Sequence, residues 1–302
     1  MPMKGVNMSS RGYKLLSLLG SSVGTEDVAE LAQKQRSFME EKIPGLCFSP
    51  YLEGQKPGDQ LSEAQIRMRM DIIAPYTRAV RSFSCTEGNE LIPKIAKEYG
   101  LRTLVGAWIG DDAEKNEKEI AGLIEVAKAG YVDVAAVGNE VMLRKELSED
   151  ELVSYIQQVK DALPAIPVGY VDAYYQFEEH PRIAEACDVI LTNCYPFWEA
   201  CPLEFSLPYI KDMYNRARKA GKGKPVIITE TGWPNIGTAF HGAIPSKANA
   251  LKYFNDVMSW VKEEGIELYY FSSFDETWKI DVEGDVGAYW GLWDKNGIYN
   301  LI

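Results

Sequence analysis

Histidine is almost missing: His180 and His241 are the only two among 302 residues. A zinc centre, or a serine or cysteine hydrolase, needs imidazole as ligand or base, and two histidines are thin material for either. His180 in EEHPRI reads as a solvated helix start and His241 in AFHGAIP as part of a polar loop, so both are expected at the surface. Cysteine is scarce as well. Cys47, Cys85, Cys187, Cys194 and Cys201 are odd in number and contain no CxxC pair, which argues against a disulfide framework in a chain of this length. Cys47, Cys85 and Cys187 fall in or beside apolar runs and read as small buried hydrophobes. The seven-residue spacing of Cys187, Cys194 and Cys201 is read as chance. No apolar run nears the ~18 residues of a membrane-spanning helix, so a soluble protein without a membrane partner is expected. Positive charge is also in deficit, with 32 Lys+Arg against 44 Asp+Glu and a formal net charge of −12. That field repels phosphate backbones and anionic lipid, which disfavours nucleic acid as a partner. A neutral polysaccharide is indifferent to it.

At the N-terminus Lys4, Arg11 and Lys14 precede LLSLLG, an apolar stretch shorter than the ~7–15 residues of a signal-peptide core. As written the chain is expected to be cytoplasmic, with a periplasmic or secreted address only if a leader was removed. TEDVAELAQKQRSFMEEK reads as an amphipathic helix with Val28, Leu31, Phe38 and Met39 on its apolar side. Residues 1–42 are therefore expected to form a helical extension packed on the exterior or the N-terminal end of the main domain, an oligomer contact being the alternative. The oligomeric state itself is not legible.

What the chain does have is 46% hydrophobic residues arranged in a repeating order. From residue 43, short apolar runs alternate with helix-period stretches. The runs are GLCFSPY (45–51), RAVRSFS (78–84), RTLVGAWI (102–109), VDVAAVG (132–138), IPVGYVD (166–172), CDVILTN (187–193), KPVIIT (224–229) and IELYYFSSF (266–274). They are rich in Val, Ile and aromatics, as strands covered on both faces are. Between them Ser62 with Gln65 and Ser148 with Glu151 have capping-box spacing, while Gly100, Gly130 and Gly265 follow helical runs as C-caps do. Leu251, Phe254, Val257, Met258 and Val261 share one helical face. Eight strand–helix repeats with right-handed crossovers close into a barrel, so the expected fold is α/β, a single (β/α)8 TIM barrel over 43–302. The competing open, doubly wound sheet usually carries a GxGxxG turn after its first strand, and GLCFSPYLEG has none.

In such barrels chemistry sits at the C-terminal ends of the strands. Strand 4 runs into VGNEV, with Asn139 and Glu140; strand 7 into ITETGWP, with Glu230; strand 8 into FSSFDETWK, with Asp275, Glu276 and Lys279. Either fragment alone is weak, since a glutamate after a strand is often a helix N-cap neighbour. Two glutamates at opposed strand ends form the pair that glycoside hydrolysis requires: one protonated to assist the leaving oxygen, one ionised to attack the anomeric carbon. In retaining enzymes they stand about 5–5.5 Å apart. Asn139 is placed to bind a sugar 2-hydroxyl. Aromatic side chains crowd the same loops and suit the CH faces of sugars. Tyr51, Tyr195, Phe197, Trp198 and Trp233 are the candidate subsite residues, while Trp278 and Trp290 suit either a core lid or a subsite. Asp275 is equally suited to a structural role and a substrate contact. Neither a metal nor an organic cofactor is implied.

These motifs resemble glycoside hydrolase family 17, the β-1,3-glucanase family, in its bacterial and fungal branch. The resemblance covers roughly residue 43 to the end and rests on FSPYLEGQKPG, VGNEV, NCYPFW, ITETGWP, FSSFDETWK and YWGLWDKNG. It implies Glu140 as acid/base, Glu230 as nucleophile, and Glu276 and Lys279 as supports for the sugar and the nucleophile. A lysine near Glu230 would favour its carboxylate, which sets this pair apart from a surface ion pair. Phe83 stands where the family often has Tyr, which removes one substrate hydroxyl contact, and Thr277 where it often has Pro. The implied activity is retaining, endo-acting cleavage of β-1,3-glucan, the partner being that polysaccharide or its oligosaccharides. The alternatives are a β-1,3-glucanosyltransferase using the same glutamates, a catalytically inactive carbohydrate-binding barrel, and an enzyme for another β-linked glycan.

Overall fold

The computed structural model describes residues 27–300. Lys4, Arg11, Lys14 and LLSLLG lie outside the described residues. The elements in chain order are α1 (Val28–Glu40), β1 (Leu46–Cys47), α2 (Glu63–Ile73), β2 (Ala79–Ser82), α3 (Leu91–Glu98), β3 (Arg102–Ala107), α4 (Ala113–Lys128), β4 (Val134–Asn139), α5 (Val141–Arg144), α6 (Glu149–Ala162), β5 (Val168–Ala173), α7 (Gln176–Glu179), α8 (Pro181–Ala186), β6 (Val189–Asn193), α9 (Leu203–Ala220), β7 (Val226–Thr231), α10 (Lys247–Glu264), β8 (Leu268–Tyr270) and α11 (Ile280–Glu283). All eight strands are parallel and close in sequence order, β8 pairing back onto β1 through Leu46 and Tyr270. The expected (β/α)8 barrel is the observed fold. Among the described residues no helix is long and apolar enough to cross a membrane.

Each apolar run contributes a strand, and β1 and β8 are the two that fall furthest short of their runs. The run 266–274 yields only three strand residues because the chain then leaves the barrel to pair with the C-terminal segment. Ser272 donates its amide to the Trp290 carbonyl at 3.0 Å, and Asp275 to that of Trp293 at 2.9 Å. β1 is curtailed for a different reason: Phe48 still donates to the Arg81 carbonyl at 2.8 Å, but the Pro50 and Tyr51 carbonyls then accept from the α2 side chains of Gln65 at 2.8 Å and Arg69 at 3.4 Å. Backbone groups in such a packed rim must find partners somewhere, and these find them outside the ladder.

On the exterior, α10 buries Leu251, Phe254, Val257, Met258 and Val261, the face read from its sequence. α1 lies across it. Phe38 meets Phe254 edge-on at 6.4 Å, and the Asn255 amide donates to the Leu31 carbonyl at 2.8 Å. Leu31 and Met39 are buried as expected, but Val28 is 43% exposed. Gln35 takes the fourth inward place and accepts the Tyr299 hydroxyl at 2.6 Å. Ser148 and Glu151 form a complete capping box. Ser62 accepts the Gln65 amide, but the Gln65 side chain turns away to donate to the Pro50 carbonyl at 2.8 Å. All five cysteines are free and buried. His180 is half-buried beside Glu149, 3.3 Å away, rather than solvated.

Candidate active site

The motif after β4 departs from regular backbone where its chemistry begins. Gly138 has φ +85°, and a Cβ there would stand 2.9 Å from the Val141 side chain, so the VGNE turn admits glycine and little else. The register between β4 and β5 shifts between Ala136 and Asn139, a local irregularity that re-aims a side chain. Glu140 follows in the left-handed region, at φ 53° and ψ 29°, a conformation a non-glycine residue adopts at some energetic cost. Its Oε1 accepts from Asn193 Nδ2 at 2.9 Å, while Asn193 Oδ1 accepts from the Thr229 hydroxyl at 2.8 Å. Burial, then the negative charges of Glu230 and Asp172, push the Glu140 carboxyl up to about 8. It is held protonated at neutral pH, as a proton donor must be.

Glu230 ends β7, where the register with β6 shifts after Thr192 and the register with β8 shifts before Thr231. Glu230 is buried, and its carboxylate has two side-chain donors. Arg81 Nη1 lies 2.5 Å from Oε1, and the Tyr195 hydroxyl donates to Oε2 at 2.7 Å. The same guanidinium donates through Nη2 to Asn139 Oδ1 at 2.7 Å and through Nη1 to the Thr229 carbonyl at 3.3 Å. One planar fork thus joins β2, β4 and β7 inside the barrel mouth. With Asn139 Oδ1 occupied by arginine, its NH2 remains as the donor for a ligand. The close turn at ETGWP depends on Gly232, because a Cβ there would fall 2.1 Å from the Phe271 carbonyl oxygen.

The two glutamates share one opening. Asn193 is the register partner of Glu230 and its side chain bonds Glu140. Each carboxyl has its own surroundings: Glu140 has a neutral amide, two negative neighbours and Arg144 as the weakest influence, while Glu230 has a directly bonded cation and a phenol. Such separation of environments gives two like groups different protonation roles.

Glu276 and Lys279 form a buried ion pair at 2.7 Å, with the Ser49 hydroxyl donating to Glu276 at 2.6 Å and Trp278 Nε1 at 3.3 Å. Burial opposes the charge on Lys279, but Glu276, Glu283 and Glu230 outweigh it and raise its pKa. Its ammonium lies 4.1 Å from the Phe271 ring centre. The direct cationic partner of Glu230 is Arg81, and Lys279 acts on Glu230 only as a more remote charge. Sequence reasoning passed over Arg81. Its signal was a charge inside an apolar strand with both faces covered, which requires a buried partner.

The aromatic expectations divide. Tyr51 is half-buried at the rim, its hydroxyl 3.4 Å from the Asn89 amide, and Trp198 is half-buried beside Phe240 at 5.9 Å and Trp290 at 5.5 Å. Phe197 and Trp233 are 0% and 2% exposed and cannot present a face to sugar. They pack edge-on at 5.2 Å as the layer behind Trp198, with Trp233 Nε1 donating to the Ile244 carbonyl at 2.9 Å. Tyr195 has Phe271 and Trp290 edge-on at 6.1 and 5.5 Å, so its contribution to the site is its hydroxyl on Glu230. Trp290 is buried and Trp278 half-buried. Asp275 is structural: it accepts the Gly291 amide at 3.0 Å and the Asn300 side-chain amide at 2.9 Å, tying β8 to the C-terminal segment. Among the described residues no cluster of three or more His, Cys, Asp or Glu is arranged to hold a metal ion.

A closed parallel barrel with two differently dressed carboxyls at one mouth defines the class, a glycoside hydrolase. The family model described as the BtgE/BtgC glycoside hydrolase domain matches residues 45–291, and the chain belongs to that family, within glycoside hydrolase family 17. It is 25% identical over 260 residues to a glucan 1,3-beta-glucosidase of Candida albicans, covering 77% of this chain and 84% of that one. A glucan 1,3-beta-glucosidase of Schizosaccharomyces pombe is 27% identical over 252 residues, covering 76% and 78%. The crystal structure of a family 17 β-1,3-glucanosyltransferase from Rhizomucor miehei superposes with a TM-score of 0.77 at 29% identity, covering 86% of this chain and 96% of that chain.

Proposed function

We propose that this enzyme is a retaining, endo-acting β-1,3-glucan hydrolase in which Glu140 is the acid/base and Glu230 the nucleophile. The observation that carries the division of roles is the asymmetry between the two carboxyls: a proton held on Glu140, and Arg81 and Tyr195 donating to Glu230. Glu140 gives its proton to the glycosidic oxygen as a Glu230 oxygen attacks the anomeric carbon, which yields a covalent glycosyl-enzyme and a shortened glucan. Glu140, now a base, then removes a proton from water as that water attacks the same carbon and frees Glu230. The Asn139 NH2 donates to the sugar 2-hydroxyl, and Trp198 and Tyr51 offer their rings to neighbouring sugars. The β-1,3 linkage is supported by the substrates named for the relatives from Candida albicans and Schizosaccharomyces pombe.

A second reading is favoured by one observation, the 29% identity to a glucanosyltransferase. A transferase delivers the same intermediate to a sugar hydroxyl instead of water. Incubation with a short β-1,3-oligosaccharide separates the two. Shorter products from the earliest times are expected, and a predominance of chains longer than the substrate would sink the hydrolase reading. A screen across β-1,3-, β-1,4- and mixed-linkage glucans tests the linkage, with β-1,3-glucan expected as the preferred polymer.

A further inference from the structure

Glu140 occupies the N-cap position of α5 yet makes no capping hydrogen bond with its side chain. The first amides of a helix lack partners within it and need acceptors from elsewhere. Here they find them on β5. The Met142 amide donates to the Tyr170 hydroxyl at 2.8 Å, and the Leu143 amide approaches Asp172 Oδ2 at 3.4 Å. Tyr170 donates its own hydroxyl to that same oxygen, while Asp172 Oδ1 accepts from the Ala173 amide at 2.7 Å. Both side chains are 0% exposed, so neither can touch a sugar. A carboxylate this deep is expensive to bury without a bonded cation, and its partners all lie on the segment that carries Glu140 or on its own strand.

We infer that Tyr170 and Asp172 are positioning residues for the general acid: they cap α5 in place of Glu140, hold Glu140 in its left-handed turn, and set a negative charge behind its carboxyl. The inference rests on Glu140 being the acid/base. The groups facing Glu140 are Glu230 from β7, Asp172 from β5, Asn193 from β6 and Arg144 from α5, with Tyr170, Tyr175 and Tyr195 nearby. Those facing Asp172 are Tyr170, Arg144 and the amides of Ala173 and Leu143, and burial, the largest influence, pushes Asp172 up to about 6. At neutral pH it is ionised and adds to the like charge that keeps the proton on Glu140.

The test compares Y170F, D172N and E140A, each isosteric with or smaller than the native residue, on laminarin and on a dinitrophenyl β-laminaribioside, whose leaving group departs without a proton. On laminarin, Y170F should lower kcat about ten- to hundred-fold with KM nearly unchanged, as misplacement of a reacting group does. On the aryl substrate kcat/KM should stay within about two-fold, because its first step does not call on the acid. D172N should show the same split and also move the basic limb of kcat/KM on laminarin to lower pH. E140A should show the split most strongly. Equal losses on both substrates in Y170F and D172N, or an unmoved basic limb in D172N, would overturn the inference while leaving the E140A split intact. If E140A itself shows no split, the reading of Glu140 fails first.

Discussion

Glu140 and Glu230 are the same side chain at the ends of opposite strands, and they are held by opposite means. Glu230 closes a strand and receives two strong donors, one of them the buried Arg81 guanidinium. Glu140 sits just past a strand in a left-handed turn, accepts from the neutral Asn193 amide, and faces two negative charges that outweigh the more remote Arg144. Under the proposed mechanism, the reaction role is then not a property of the glutamate or of its motif. It is conferred by β2, β5 and β6, which bring Arg81, Asp172 and Asn193 to the mouth.

Removing the better-held partner should do most harm. E230A deletes the proposed nucleophile and leaves Trp198 and Tyr51 in place, so kcat on laminarin should fall by about four orders of magnitude or more, with laminarin-oligosaccharide binding by calorimetry largely kept. Unchanged activity would end the assignment. R81K tests whether the contrast depends on the fork or only on charge. A lysine supplies one point charge and cannot serve Glu230, Asn139 and Thr229 together. A loss of about a hundred-fold in kcat is expected, comparable to removing a preorganised donor, and wild-type kinetics would show that the bridge to Asn139 is idle.

Two titrations sharpen the other half of the contrast. With Glu140 raised to about 8, kcat/KM should hold to near that pH and then drop about tenfold per unit as the acid loses its proton. A basic limb near 5 would contradict the environment described. The same shift bears on stability. The unfolded carboxyl releases its proton near its ordinary value of 4.5, while the folded one keeps it to about 8. Between those values the native state binds the extra proton, so native stability declines as pH rises through the window. E140Q, which carries no charge, should therefore unfold at a higher temperature than the wild type by a margin that grows from pH 4 to pH 8. A margin constant with pH would refute the shift. The smallest expected change is in W198A. Losing one half-buried stacking ring should raise KM for laminarin several-fold, about 1 kcal/mol, with kcat little altered, and equal losses in both would place Trp198 in the fold rather than the cleft.

Some of this is legible in the sequence. The eight strands announced themselves because a parallel barrel covers both faces of each strand, so each must be an apolar run bounded by breakers. The two glutamates stood out because they follow such runs. The direction of the loop aromatics did not. Tyr195, Phe197 and Trp198 are near neighbours in an irregular segment without a period, and one turns its hydroxyl to Glu230, one is fully buried, and one stays at the surface. Gln35, polar by type, is fully buried on α1 while Val28 is not, because the fit against α10 and the Tyr299 hydroxyl outweighed the apolar pattern.

The order of strands and helices, the closure of the barrel and the rim position of Asn139, Glu140, Glu230, Glu276 and Lys279 follow from local pattern: periodicity and breakers act over a few residues and are written directly in the chain. The distinction between acid and nucleophile belongs to the tertiary structure. Arg81 meets Asn139 across 58 residues and Glu230 across 149, and Asp172 lies on a different strand from the helix it caps. Electrostatic environment depends on distance in space and on exclusion of water, and neither quantity exists until the barrel has closed.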